Sequence, residues 1–399
     1  MFKEPYFPFG THVSAKIFPG ATELSGHSRD RVERVTELDG IRGLAIALVL
    51  VWHYVHSQLH EVAPGTPLAF LKQALSFTWS GVDLFFVLSG FLIGGILLDH
   101  RESRNYFRVF YIRRVCRIFP LYYAHLALFV ILIAFGAGQA PGLYRLFDTA
   151  GLPLWSYATF TQNIVMASRV VMGSDWLAVT WSLAIEEQFY LVLPFIIRFA
   201  PPRALPWILG GFLLMAPALR AMTPGAWAVI GTPWRADSLM AGALLACFVR
   251  RPGFMEAIVA GRRWLYTVFW ILLGGAVSTV FITARFPFNL TFTFFWLAFL
   301  YTALVLIVLV DRGGWIASIF RQRMLVWLGA VSYGVYLFHQ AVNTLLHGLI
   351  RYLPPTIMEW EGLAVTCLAL IVTLVMAGFS FRYFERPVIN YGHRYRYDR

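Results

Sequence analysis

The chain has 399 residues, 58% of them hydrophobic and 14% charged, and its mean hydropathy is +0.64. That composition excludes an ordinary soluble domain and describes an integral membrane protein. The net charge of +12 does not point to nucleic acid, because the basic residues are scattered between apolar segments without a stacking platform or compact basic motif.

Residues 1–36 contain prolines, glycines and charges but no apolar core of a cleaved secretory signal, and read as a loosely ordered cytoplasmic tail. Residues 37–388 read as one membrane-embedded, all-α domain, and residues 389–399 as a cytoplasmic C-terminal tail. Apolar stretches of about 20 residues predict ten spans, at 39–58, 80–98, 119–138, 181–199, 205–222, 234–250, 264–284, 290–310, 326–349 and 361–383. The longest break, 136–180, includes Leu152 to Tyr157, a segment suited to an interfacial or re-entrant course.

Charge in the loops predicts the orientation. One set carries Arg101, Arg104, Arg108, Arg113, Arg114, Arg117, Arg198, Arg203, Arg250, Arg251, Arg262, Arg263, Arg312, Arg321 and Arg323, and the C-terminal tail adds Arg394, Arg396 and Arg399. The opposite set has Lys72, Arg145, Arg169, Arg220, Arg285 and Arg351. The richer set belongs in the cytoplasm, which places both termini there. Cys116, Cys247 and Cys367 are far apart and lack metal spacing, so they read as buried thiols rather than a disulfide framework or zinc site.

Several spans hold ionisable groups, which are costly in hydrocarbon and suggest function by default. In the first, Arg42 and His53 are eleven residues apart. A helix returns them to within about 20° of one azimuth, about 16 Å apart along its axis. His53 can accept a proton near neutral pH, as activation of a hydroxyl nucleophile requires. The plainer readings are an end-anchor for Arg42 and a satisfied interior histidine for His53.

The second span contains Asp83, either a site residue or a structural partner for Arg42 or another arginine, and Ser89, Gly90, Gly94 and Gly95, which permit close helix approach. Arg114 and Arg117 lie three apart at the start of the third, suited to gripping phosphate or to positive-inside anchoring. In the fourth, Trp181 and Ser182 precede Glu186, Glu187 and Gln188. Adjacent carboxylates diverge by about 100°, so only one faces a given pocket, whereas Glu186 and Tyr190 align. Arg235 and Asp237 open the sixth span, as a pair or as cavity lining. Ser332-Tyr333 to His339 and Glu385-Arg386-Pro387 complete the set.

In this order, from Leu38 to Pro387, these segments resemble the membrane-bound acyltransferase-3 family, which includes O-acetylases of bacterial surface polysaccharides. The elements that carry the resemblance are Arg42-x10-His53, Gly81-Val82-Asp83-Leu84-Phe85-Phe86-Val87-Leu88-Ser89-Gly90, Arg114-x-x-Arg117, Trp181-Ser182-Leu183 with Glu186, Arg235-x-Asp237, Ser332-Tyr333 to His339, and Glu385-Arg386-Pro387.

The resemblance implies transfer of an acyl group, acetyl foremost, from cytoplasmic acyl-CoA to a hydroxyl of a carbohydrate, glycoside or lipid-linked sugar. It also implies a multi-pass protein of a bacterial inner membrane, in contact with lipid and needing no metal, with homo-oligomerisation left open. The expected catalytic group is His53, Arg42, Glu186 and Asp83, with His53 as general base or acyl-carrying nucleophile. Arg114, Arg117 and Arg42 would hold the donor, and Trp181, Ser182, Tyr190, Asp237 and His339 the acceptor. Many members carry a fused periplasmic esterase-like domain. This chain ends twelve residues beyond Pro387, so a second transfer step by such a domain is not expected of it. The competing class is a secondary transporter or flippase, which would favour paired broken helices in two halves, and none is evident.

Overall fold

The computed structural model describes residues 12–13, 33–60, 62–140, 142–223, 225–282 and 290–398. Most of the predicted N-terminal tail, with Arg285 and Arg399 of the charge pattern, lies outside the described residues. Among those described, the strands are one two-residue antiparallel pairing, His12–Val13 with Glu33–Arg34, and the rest of the regular structure is helical.

The long helices are α1 (Thr36–Tyr54), α2 (Gly81–Asp99), α3 (Tyr106–Ala134), α4 (Thr180–Phe199), α5 (Leu205–Met222), α6 (Ala236–Phe248), α7 (Arg262–Ile282) and α8 (Leu290–Val310). They are followed by the short α9 (Arg323–Ala330), then α10 (Ser332–Ile350) and α11 (Trp360–Ser380). Among the described residues, seven helices are long and apolar enough to cross a membrane, or eight if α9 and α10, bent by 76°, form one broken span. The chain is therefore multi-pass.

The expected ten spans all correspond to helices, but the count of membrane-crossing helices is lower for identifiable reasons. Glu186, Glu187 and Gln188 depress the hydropathy of α4, and α6 has 13 residues, about 20 Å of helix against a hydrocarbon core of about 30 Å. The third predicted span also starts too late. Helix α3 begins at Tyr106 and runs 29 residues, so Arg108, Arg113, Arg114 and Arg117 ride on its first turns rather than in a loop. Only Cys247 of the three thiols is buried; Cys116 is half-buried and Cys367 faces outward. A sequence window registers that cysteine is apolar but not which side of a helix faces its neighbours.

Small residues draw two helix pairs together. A Cβ added at Gly90 of α2 would lie 1.9 Å from Leu239 O, and one at Gly242 of α6 would lie 2.0 Å from Val87 O. Likewise a Cβ at Gly43 of α1 would lie 2.0 Å from Leu325 O of α9. These backbones touch because neither side offers a side chain at the crossing. The first contact fixes α2 against α6, and the second holds α1 against the bent α9–α10 pair. Both deliver polar side chains to the centre of the bundle.

Candidate active site

Two cavities lie along α1. The first is lined by Arg42, Arg114, Arg117, Ser89, Glu186 and Tyr190 among others. The second is lined by His53, Trp52, Trp79, Trp181, Asp83, Asp175, Arg235 and Gln340 among others. Val82 and Tyr336 line both and form the shared wall. The eleven-residue spacing from Arg42 to His53 thus sets one side chain in each chamber.

Three arginines and one carboxylate meet in the first cavity. Arg42 comes from the second turn of α1, and among the described residues its Nη1 has no hydrogen-bond partner, its contact with Asp39 Oδ1 being 3.9 Å long. Arg114 and Arg117 come from α3, three residues apart on its inner face. Glu186 Oε1 accepts a hydrogen bond from Ser89 Oγ at 2.6 Å, and Ser89 Oγ lies 2.8 Å from the Tyr190 hydroxyl. The alignment of Glu186 with Tyr190 on α4 therefore converges on Ser89 of α2, while Glu187 points elsewhere. Three guanidinium groups and one carboxylate line this chamber, with Asp39 beside Arg42 behind the wall, a lining suited to an anionic ligand.

In the second cavity, His53 Nδ1 lies 3.0 Å from Val49 O and 3.3 Å from His339 Nε2. The two rings stand edge to face, with centroids 4.8 Å apart and planes at 62°. His339 is fully buried behind His53 and lines neither cavity. Its own Nδ1 is held by Tyr336 O at 2.8 Å and Val335 O at 3.2 Å. Tryptophans 52, 79 and 181 give this chamber flat apolar surfaces, and Asp175 and Gln340 add polar groups.

Residues 35–380 match the acyltransferase-domain family. The chain belongs to that family, acyltransferase-3. It is 27% identical over 383 residues to the peptidoglycan O-acetyltransferase OatA of Listeria monocytogenes, covering 89% of this chain and 56% of that one. It is 26% identical over 389 residues to a Bacillus subtilis protein, YrhL, whose name gives it provisionally as a peptidoglycan O-acetyltransferase, with coverage of 92% and 57%. The chain thus spans a little over half the length of these relatives. No solved structure matches.

In this acyltransferase-3 chain the predicted site residues divide among three places. Arg42, Arg114, Arg117, Glu186, Ser182 and Tyr190 line the first cavity, and His53, Asp83 and Trp181 the second. Asp237 lines neither, because its Oδ2 pairs with Arg220 at 2.5 Å in a fully buried contact. Asp83 stands in the cavity wall but is engaged as well: its Oδ1 accepts from Arg235 Nη2 at 2.7 Å and from Ser238 Oγ at 3.1 Å. Neighbouring Arg235 and Asp237 are therefore not each other's partners. Each crosses to another helix, and Phe294 covers the Arg235 guanidinium with its ring centroid 3.5 Å away.

Sequence reasoning missed Tyr336, Asp175 and the shared wall itself. Tyr336 is brought in by the 76° bend between α9 and α10, which no local pattern announces. Ser89 read only as a packing residue, although its i+4 relation to Phe85 and Ile93, which also line the first cavity, could have shown which face of α2 it shares. Among the described residues, no group of three or more His, Cys, Asp or Glu is arranged to hold a metal ion.

Proposed function

We propose that this chain is a membrane-bound O-acyltransferase that moves an acetyl group from acetyl-CoA to a carbohydrate hydroxyl. The observation that carries the reading is the pair of cavities with one shared wall, one lined by three arginines and the other by His53. Phosphates of coenzyme A suit Arg42, Arg114 and Arg117, since guanidinium groups bind phosphate through paired charge-assisted hydrogen bonds. The acceptor suits the second chamber, whose tryptophan faces can stack on the apolar face of a sugar ring and whose Asp175 and Gln340 can hydrogen-bond hydroxyls.

The reaction is a single displacement. His53 takes the proton of the acceptor hydroxyl, and the oxygen attacks the thioester carbonyl. The carbon–sulfur bond breaks, and the thiolate recovers the proton from the imidazolium. Glu186, bound by Ser89 in the arginine cavity, places a carboxylate among the groups that line the donor chamber. The richer arginine face belongs in the cytoplasm, where acyl-CoA is made, and the His53 chamber lies nearer the opposite side. The two relatives named as peptidoglycan O-acetyltransferases make glycan chains of that polymer the first acceptor to try. Purified protein in nanodiscs, given acetyl-CoA and muropeptide fragments or simple glycosides, should release free thiol in step with O-acetyl product found by mass spectrometry. Thiol release without product in the presence of every glycan tried would remove the carbohydrate acceptor from the reading.

A further inference from the structure

We propose that His339 is a positioning residue that holds His53 in the tautomer with the proton on Nδ1, leaving Nε2 as the basic nitrogen. The proposal rests on the reading of His53 as general base and adds to it which nitrogen does the work and what selects it.

Carbonyl groups accept hydrogen bonds and never donate them. His339 Nδ1 faces two such oxygens, Tyr336 O at 2.8 Å and Val335 O at 3.2 Å, so it must carry the proton. The neutral His339 ring then has one lone pair, on Nε2, and that atom sits 3.3 Å from His53 Nδ1. Two lone pairs facing each other would repel, so His53 Nδ1 is the donor. Val49 O at 3.0 Å demands the same: like Val335 O beside His339 it is an i−4 helix carbonyl whose second lone pair can accept a side-chain N–H. His339 supplies a second acceptor, from another helix, that fixes the ring as well as the proton. Among the described residues His53 Nε2 has no hydrogen-bond partner, and the residue lines the second cavity.

His339 is itself fixed from outside. The Tyr54 hydroxyl donates to His339 O at 2.7 Å and lies 3.0 Å from Thr373 Oγ1, tying α1, α10 and α11 together at this level. When His53 gains its second proton at Nε2, the Nδ1–H remains directed at the same lone pair, so the imidazolium forms without rearrangement. Setting the tautomer through the other ring nitrogen is the usual way a protein chooses which histidine nitrogen reacts.

The test combines a spectroscopic and a kinetic readout on full-length protein in nanodiscs. With 15N-labelled histidine at pH 8, and His53→Gln to assign the signals, His53 should show a protonated Nδ1 and an unprotonated Nε2. His339→Phe, which keeps a ring but leaves Val49 O as the sole acceptor, should raise the share of the Nε2-protonated tautomer and lower kcat on the order of 10- to 100-fold, with KM for acetyl-CoA unchanged. His339→Gln, whose amide oxygen can accept, should recover most of both signals. A wild-type His53 protonated on Nε2, or a His53 tautomer unaltered in His339→Phe, would overturn the proposal. Neither result touches the general-base reading, which stands or falls on His53→Gln.

Discussion

The Tyr336 hydroxyl lies 2.5 Å from Ser182 Oγ and donates to Val179 O at 2.9 Å. Ser182 lines the arginine cavity and Val179 the histidine cavity, so one phenol pins the wall between them. Tyr336→Phe should loosen that wall and cost about 1 kcal/mol of stability for the lost buried hydrogen bonds. Tyr336→Ala should join the chambers, raise hydrolysis of acetyl-CoA in the absence of acceptor and reduce transfer. Thiol release with and without acceptor measures both effects.

Arg114 and Arg117 are predicted to act on the donor through its phosphates. Each charge-assisted hydrogen bond contributes about 1.5–3 kcal/mol, so Arg114→Ala or Arg117→Ala should raise KM for acetyl-CoA about 10- to 100-fold with kcat little changed. Acetyl-pantetheine, which lacks those phosphates, should be used equally well by wild type and variants. Initial rates with the two donors decide the matter, and an equal loss with both would place these arginines elsewhere in the reaction.

Asp83 and Arg235 form an ion pair with both side chains within 2% of full burial. Removing one partner leaves an uncompensated buried charge, at a cost of about 3–5 kcal/mol. Asp83→Ala should therefore unfold at markedly lower temperature in detergent, and so should Arg235→Met. The double variant should regain much of the loss, as measured by thermal unfolding of the purified proteins.

At Gly90 an added Cβ would meet Leu239 O at 1.9 Å, whereas at Gly210 it would meet nothing within 4 Å. Gly90→Leu should abolish the monodisperse peak in fluorescence-detected size exclusion, because α2 and α6 can no longer touch. Gly210→Leu should elute as wild type.

The all-helical class and most helix positions were legible because the apolar runs exceed what any soluble domain needs. The arginine cavity was legible in part, since Arg42, Arg114, Arg117, Glu186 and Tyr190 all sit on helix faces that simple periodicity aligns. Partner choice was not. Arg235 and Asp237 look like a local pair two residues apart, but positions i and i+2 of a helix point away from each other, and each found its counter-charge on a different helix. His339 read as an acceptor ligand because nothing in the sequence tells a cavity-lining histidine from one buried behind it. Only the packing of α10 on α1 made it a neighbour of His53.

Activation of the acceptor hydroxyl by His53 is tested most directly by measuring transfer by His53→Gln in nanodiscs at saturating acetyl-CoA. Glutamine roughly preserves size and polarity but cannot take up a proton near neutral pH. O-acetyl product should fall on the order of 100-fold or more, with acetyl-CoA binding retained through Arg42, Arg114 and Arg117. Undiminished transfer by that variant would contradict that role for His53.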